Sequence, residues 1–203
     1  MLKKIIPLVI LSISLFLCSC DGEAKIKVER NGNVYFEFNG DIGGTFKDMM
    51  YSMGGDVDID SDAIKRELLL SGFSNVKVST DDEFIRISFR DEKRKSLLFN
   101  LGIITERNGT ILVSITPKNF MELYNSSGED LQMLLDLFIS PVLNGEVMSE
   151  SEYVDTLNIT YGEETGREIS NSVIKFSILD KRGNVKRRNI FVKNILCGGS
   201  IYF

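Results

Sequence analysis

The chain contains no histidine and no tryptophan, and only three cysteines and three prolines among its 203 residues. Without histidine there is no Ser-His-Asp or Cys-His relay, no imidazole-ligated zinc, and no side chain whose ordinary pKa suits proton transfer near neutrality. A Gly-x-x-x-x-Gly-Lys phosphate loop is also absent. The nearest glycine cluster, Asp41-Ile42-Gly43-Gly44-Thr45, is flanked by acid and reads as a strand-to-helix turn rather than an anion cradle. Cation excess is missing too: 29 Asp and Glu stand against 24 Lys and Arg, a net charge of −5. That balance argues against nucleic acid as a partner, because phosphate backbones call for a net basic face. The one basic run, Lys186-Arg187-Arg188, lies beside a turn and reads as the solvated edge of a hairpin.

What is present begins at the N-terminus. Lys3 and Lys4 precede an uncharged apolar run from Ile5 to Leu17. A membrane-spanning helix needs roughly 20 apolar residues, so this run is too short to span and fits a secretory signal. It ends in Leu17-Cys18-Ser19-Cys20, which resembles the lipobox of bacterial lipoproteins, with an aliphatic residue, a small residue before the cleavage point, and then the acceptor cysteine. The resemblance implies a signal peptide over residues 1–19, removed before Cys20, and a single lipoprotein domain over 20–203. It also implies lipidation of the Cys20 thiol by diacylglycerol and of the freed amine by a third acyl chain such as palmitate. Two or three chains hold a protein on a membrane effectively permanently. The expected location is the bacterial cell envelope, with the body in the periplasm or at the cell surface.

Cys18 would leave with the signal, so Cys197 would remain as a solitary thiol, packed as a small apolar residue. A bridge from Cys20 to Cys18 or Cys197 in an unlipidated secreted chain is the alternative.

Along the body, Ile26 and Val28 alternate toward Asn31-Gly32, and Val34, Phe36 and Phe38 alternate away from it, which predicts a β-hairpin on a type I′ turn. Thr45 to Met53 and Asp62 to Ser71 predict short helices, the second with Ile64, Leu68 and Leu69 inward and Gly72 at its end. Val76 and Val78, then Ile85, Ile87 and Phe89, then Ile103 and Ile104, then Ile111, Val113 and Ile115 predict strands, the last two joined by Asn108-Gly109. Residues 91–95 read as a charged connection. After Pro117 helices return, at Phe120–Tyr124 and along the Leu131, Leu134, Leu135, Phe138 stripe. Ser149 and Glu152 form a capping box ahead of Val154, Leu157 and Tyr161. A closing hairpin pairs Ile174, Phe176 and Ile178 with Ile190 and Val192 across Asp180–Asn184. Strands in blocks and helices in blocks give an α+β fold, a mainly antiparallel sheet of hairpins packed by a few short helices.

The sharpest candidate for chemistry is Asp56-Val57-Asp58-Ile59-Asp60-Ser61. Asp56, Asp58, Asp60 and Glu67 fall at positions 1, 3, 5 and 12 of a calcium loop of the EF-hand kind. Ser61 stands where that loop needs glycine, so the competing reading, Asp60 or Ser61 capping the following helix, leads, and no metal or cofactor is assigned. The stretch Ser140-Pro141-Val142-Leu143-Asn144-Gly145-Glu146, with Glu152-Tyr153 and Tyr161-Gly162-Glu163 after it, resembles uncharacterised lipoproteins of spirochaetes. That resemblance implies only an envelope-facing lipoprotein. The reading is a lipid-anchored binding or assembly module, attached to the membrane through its N-terminus and engaging an envelope protein, without catalysis. A carboxylate-dependent envelope hydrolase and a carrier of an apolar ligand are the alternatives. For the binding module, the helical half from Phe120 to Ile169 is the expected contact face, with Tyr124, Met148, Tyr153 and Tyr161 as anchors or else as core.

Overall fold

The computed structural model describes residues 21–41, 44, 60–70, 72–81, 83–92, 97–107, 110–125, 148–197 and 199–202. The lipobox with Cys20, the expected helix at 45–53, Asp56 and Asp58, the Asn108-Gly109 turn, the 131–138 stripe and Ser140–Glu146 lie outside them, as does the side chain of Glu67. The fold is α+β, with mostly antiparallel strands.

Strict alternation makes β1 (Asp21–Val28) and β2 (Val34–Asp41) single-faced strands, with Ala24, Ile26, Val28, Val34, Phe36 and Phe38 buried on one side. They pair antiparallel from Gly22↔Gly40 to Val28↔Val34. The turn is not the expected type I′. Glu29 N–H donates to the Asn33 carbonyl at 2.8 Å, Gly32 N–H returns to the Glu29 carbonyl at 2.9 Å, and Gly32 alone takes a positive φ of 91°. This is the loop of three residues that ends on a left-handed glycine, and Asn31 serves it with its side chain, accepting from Asn33 N–H. The same closure recurs at Asp180–Asn184, where Gly183 has φ 85°.

Helix α1 (Ser61–Leu70) starts on Asp60, whose carboxylate accepts from Ala63 N–H at 2.8 Å. Ile64 and Leu68 are buried, but Leu69, expected inward, is 49% exposed because it falls one residue past the i, i+4 stripe. Gly72, at φ 84°, reverses the chain into β3 (Ser74–Thr80), which pairs with β4 (Phe84–Asp91). A register shift falls between Ser74 and Lys77, where Asn75 takes φ 53°. β4 also pairs with β2, keeping Phe89 beside Phe36 with ring centroids 5.0 Å apart.

Helix α2 (Leu97–Asn100), which alternation did not predict, leads to β5 (Ile104–Arg107) and β6 (Thr110–Ile115). Helix α3 (Pro117–Asn125) follows, fastened by Asn119, which accepts from Thr116 N–H and donates to the Ser114 carbonyl, both at 2.7 Å. Helix α4 (Glu150–Tyr161) has the expected capping box: Ser149 Oγ accepts from Glu152 N–H at 3.2 Å and Ser149 N–H donates to the Glu152 carboxylate at 2.7 Å. Helix α5 (Glu163–Asn171) packs so tightly on α4 that a Cβ at Gly166 would stand 2.7 Å from the backbone nitrogen of Asn158.

The chain then enters β7 (Val173–Leu179) and returns in β8 (Val185–Phe191). Ile174 pairs with Ile190 as expected, whereas Val192 belongs to the short helix α6 (Val192–Leu196) rather than to the strand. β9 (Ile201–Tyr202) completes the smaller sheet, ordered β5-β6-β9, and the larger runs β3-β4-β2-β1-β7-β8. Its one parallel contact, β1 with β7, brings residues about 150 positions apart side by side, from Asp21↔Val173 to Lys27↔Leu179. One apolar cluster joins the inner face of the large sheet to Ile104, Ile111 and Val113 of the small one and to Leu68, Phe120, Tyr153, Leu157, Ile169 and Ile195 of the helices.

Candidate functional site

Because the large sheet packs one face on that core, its alternate residues form a second face. Register sets them in rows across five strands. Arg90, Tyr35, Lys27, Leu179 and Val185 make one row; Ser88, Glu37, Lys25, Ser177 and Arg187 the next; Arg86, Asn39, Glu23, Lys175 and Asn189 the third. Lys77 and Ser79 extend the second and third rows on β3. The surface hollows into a shallow concavity of about 580 Å³ over β2, β1, β7 and β8.

Its electrostatics differ from those of the chain as a whole. At the centre Lys25 sits between two carboxylates, Nζ lying 3.0 Å from Glu37 and 3.3 Å from Glu23. The hydrogen bond to Glu37, above all, holds its ammonium above the ordinary lysine range. Tyr35 also donates to Glu37, at 3.2 Å. Arg90 is paired with Glu29 at 2.8 Å and Arg86 with Asp81 at 2.9 Å. Lys27, Lys175 and Arg187 belong to no ion pair among the described residues; around the Lys25–Glu23–Glu37 cluster, which carries one net negative charge, they leave the concavity with an excess of two cations. Ser177 and Asn189 place neutral hydrogen-bonding groups between them. The arrangement presents a hydrogen-bonding, net cationic surface to an anionic partner, on a protein that is acidic overall.

The residues expected to carry contacts lie elsewhere. Tyr153 is only 3% exposed, and burial drives its phenol well above the ordinary tyrosine range; Tyr124, Met148 and Tyr161 are partly buried against the same core. Tyr153 belongs to the interior, the other three are half-buried at its margin, and residues 126–147 of the helical half lie outside the described residues. The apolar stripe of an amphipathic helix must be buried somewhere, and on α4 Tyr153 and Leu157 form it. Cys197 is half-buried, with burial first and then the Glu150 charge pushing its thiol up to about 11. Lys193, the cation one turn away, is bound to Glu150 at 2.6 Å, which leaves the thiol without activation.

Of the calcium-loop residues, Asp60 spends its carboxylate on capping α1 and on a 3.9 Å contact with Arg66. Among the described residues no three acidic or thiol side chains converge in a way that could hold a metal ion. Asp91 and Glu106 are acids withdrawn from solvent, on different sheets, and Glu106 is paired with Lys181 at 3.4 Å. Between the two sheets lies an apolar cavity of about 90 Å³, lined by Phe36, Phe38, Ile104, Val113, Phe120 and Phe176 among others. Pockets for drug-sized ligands are several hundred Å³, so a carried molecule would have to part the sheets.

No helix among the described residues is long and apolar enough to cross a membrane. Compared with known proteins, the chain matches no family model, no curated protein and no solved structure. The outer sheet face therefore rests on its own geometry and charge.

Proposed function

We propose that this chain is a lipid-anchored lipoprotein of the bacterial cell envelope, cleaved before Cys20 and acylated there, whose α+β body acts as a binding module. The observation that carries the binding part is the net cationic outer face, Lys27, Lys175 and Arg187 around Ser177 and Asn189. The partner that suits it is an envelope protein with an acidic, extended surface, able to meet both the cations and the hydrogen-bonding groups between them. Cation excess on one face of an acidic protein steers such a partner and fixes its orientation more than it adds raw affinity. The hydrolase alternative would require two carboxylates free to flank one substrate bond; the described buried acids stand on separate sheets, and the two carboxylates of the concavity, Glu23 and Glu37, are both bound to Lys25.

The test has two parts. Mass spectrometry of the mature N-terminus is expected to find acylated Cys20, and Cys20→Ser is expected to release the protein from membranes. A photo-crosslinking residue at Ser177 is expected to give adducts to one acidic envelope protein, whereas the same probe at Ile159, exposed on α4, gives none. Lys27→Glu with Lys175→Glu and Arg187→Glu should abolish the Ser177 adducts. Equal adducts from both positions, or hydrolysis of an envelope polymer by pure protein that one carboxylate substitution removes, would overturn the reading.

A further inference from the structure

Asp21 opens β1 and directly follows Cys20 in the sequence. Under the lipoprotein reading, on which this inference rests, the acyl chains therefore join the folded body without a linker. Asp21 is not free to swing. It pairs with Val173 in the parallel ladder, and its carboxylate accepts from Val173 N–H at 3.3 Å. β1 is one of the two central strands of the sheet. The end of the sheet at which β1 begins is consequently the end held against the bilayer.

That end carries a distinctive pair of side chains. The last row of the outer face runs from Phe84 on β4, beside Asp41 on β2, through Asp21 and Val173 to Phe191 on β8. Phe84 is 37% exposed and Phe191 44%, unusual for phenylalanine in a chain that buries Phe36, Phe38, Phe73, Phe89 and Phe120. At about 4.8 Å per strand the two rings stand roughly 19 Å apart, two strands to either side of β1. A cation lies over each, Arg86 at 5.5 Å from the Phe84 ring centroid and Lys193 at 5.6 Å from that of Phe191. Exposed rings with long basic side chains beside them are what the headgroup layer of a bilayer accommodates, the ring in its apolar margin and the charge toward water.

This end is not cationic: its two ion pairs cancel, and its row adds two aspartates. Arg86 is paired with Asp81 and Lys193 with Glu150, while Asp21 and Asp41 stand in the row between the rings. An anionic lipid surface gains nothing from such an end, so the complement is a zwitterionic headgroup layer.

We propose that Phe84 and Phe191 rest in the zwitterionic headgroup layer of the membrane that holds the lipid anchor. With the acyl chains they form a three-point seat that stands β1 on the bilayer and turns the cationic outer face sideways, clear of the lipid.

The chain has no tryptophan, so a single introduced indole reports one position. Full-length protein carrying Phe84→Trp, Phe191→Trp or Val185→Trp would be matured in cells, purified with its anchor, and reconstituted in phosphatidylcholine and phosphatidylethanolamine vesicles containing brominated lipid. Val185 lies on the same face of β8 at the opposite end of the strand and is 48% exposed, so it is a matched control. Emission from Phe84→Trp and Phe191→Trp is expected to shift to the blue and to lose most of its intensity to the bromines, unchanged by added salt, while Val185→Trp keeps its emission. Equal quenching at all three positions, none at 84 and 191, or quenching that salt abolishes would overturn the seat. The mass of the N-terminal peptide is read on the same samples. An unacylated Cys20 overturns the lipoprotein reading together with this inference, whereas an acylated Cys20 with unquenched indoles at 84 and 191 overturns the seat alone.

Discussion

Neighbouring residues of the same strands experience opposite environments on the two faces of the large sheet. Along β2, Val34, Phe36 and Phe38 are buried beneath the small sheet and helices, and Tyr35, Glu37 and Asn39 between them form the open face. β8 departs from this pattern. Lys186 and Arg188 point to the side on which Ile178 and Phe176 pack, Arg187 points to the other, and all three are exposed. The core thus reaches β8 only at Ile190, and the rest of β8 serves as a charged border that protects the sheet from edge-to-edge pairing. The inner face fixes the fold through volume and contact. The outer face is left to determine what the protein meets, and only charge and hydrogen bonding distinguish it.

The largest effect should come from the inner face. Ile87, 1% exposed, sits between Phe38 of β2 and Val78 of β3. Ile87→Ala is expected to reduce the free energy of unfolding by about 2–5 kcal/mol, through lost transfer energy and the cavity left behind. Arg86→Ala, one residue away on the outer face and in an exposed ion pair, should change it by no more than about 0.5 kcal/mol. Urea titration of the two variants measures the difference, and equal losses would mean that the two faces are not distinct in packing.

Much of this division was readable from alternation, because a period of two tells which residues share a face. It cannot tell which strand lies beside which. Lys27, Lys175 and Arg187 come from three strands spread over most of the chain, and only the β1–β7 register gathers them, so the candidate face was hidden from the sequence while the strands that build it were not. The helical half attracted attention instead because Tyr153 and Tyr161 are conspicuous, yet helical periodicity does not say which stripe is covered. Asn31-Gly32 marked a turn correctly and its type wrongly, since the dipeptide fits both a type I′ turn and the last two residues of a longer loop. Asp60 was legible only as a choice between a calcium ligand and a helix cap, and of the two only the cap's bond, from Ala63 N–H, falls among the described residues. Nothing in the local pattern marked α2, α6 or β9, each too short to show a period.

A middle-sized effect tests the helical cover of the inner face. Helix α4 contributes Tyr153 and Leu157 to the core and is started by the Ser149–Glu152 capping box. Ser149→Ala should lower stability by about 1 kcal/mol. The reciprocal half is acid-sensitive. The Ser149 backbone N–H first, and its hydroxyl second, hold the Glu152 carboxyl below its ordinary value. A folded-state pKa below the unfolded one gives stability that is present above the unfolded value and lost as the pH falls through the folded one. Wild type should therefore exceed Glu152→Gln in stability near neutrality and lose that margin below the ordinary carboxylate range. Melting temperatures of the two proteins across that range are the measurement, and a margin that persisted in acid would assign the difference to packing.

The smallest effect on stability should accompany the largest on binding. Lys27, Lys175 and Arg187 have no ionic partner among the described residues, so neutralising them breaks no pair and opens no cavity. For Lys27→Gln with Lys175→Gln and Arg187→Gln, three surface changes of at most about 0.5 kcal/mol each should together cost no more than about 1.5 kcal/mol. Urea titration checks that bound, while the Ser177 crosslink to an acidic partner should weaken and the remaining capture lose its dependence on salt, because the screened attraction has gone. A residue kept for the fold shows itself by destabilising when removed, and a residue kept for a partner by leaving the fold indifferent. If the triple variant unfolded as readily as Ile87→Ala, the outer cations would belong to the architecture, and the open face would have to give up its claim as the binding surface.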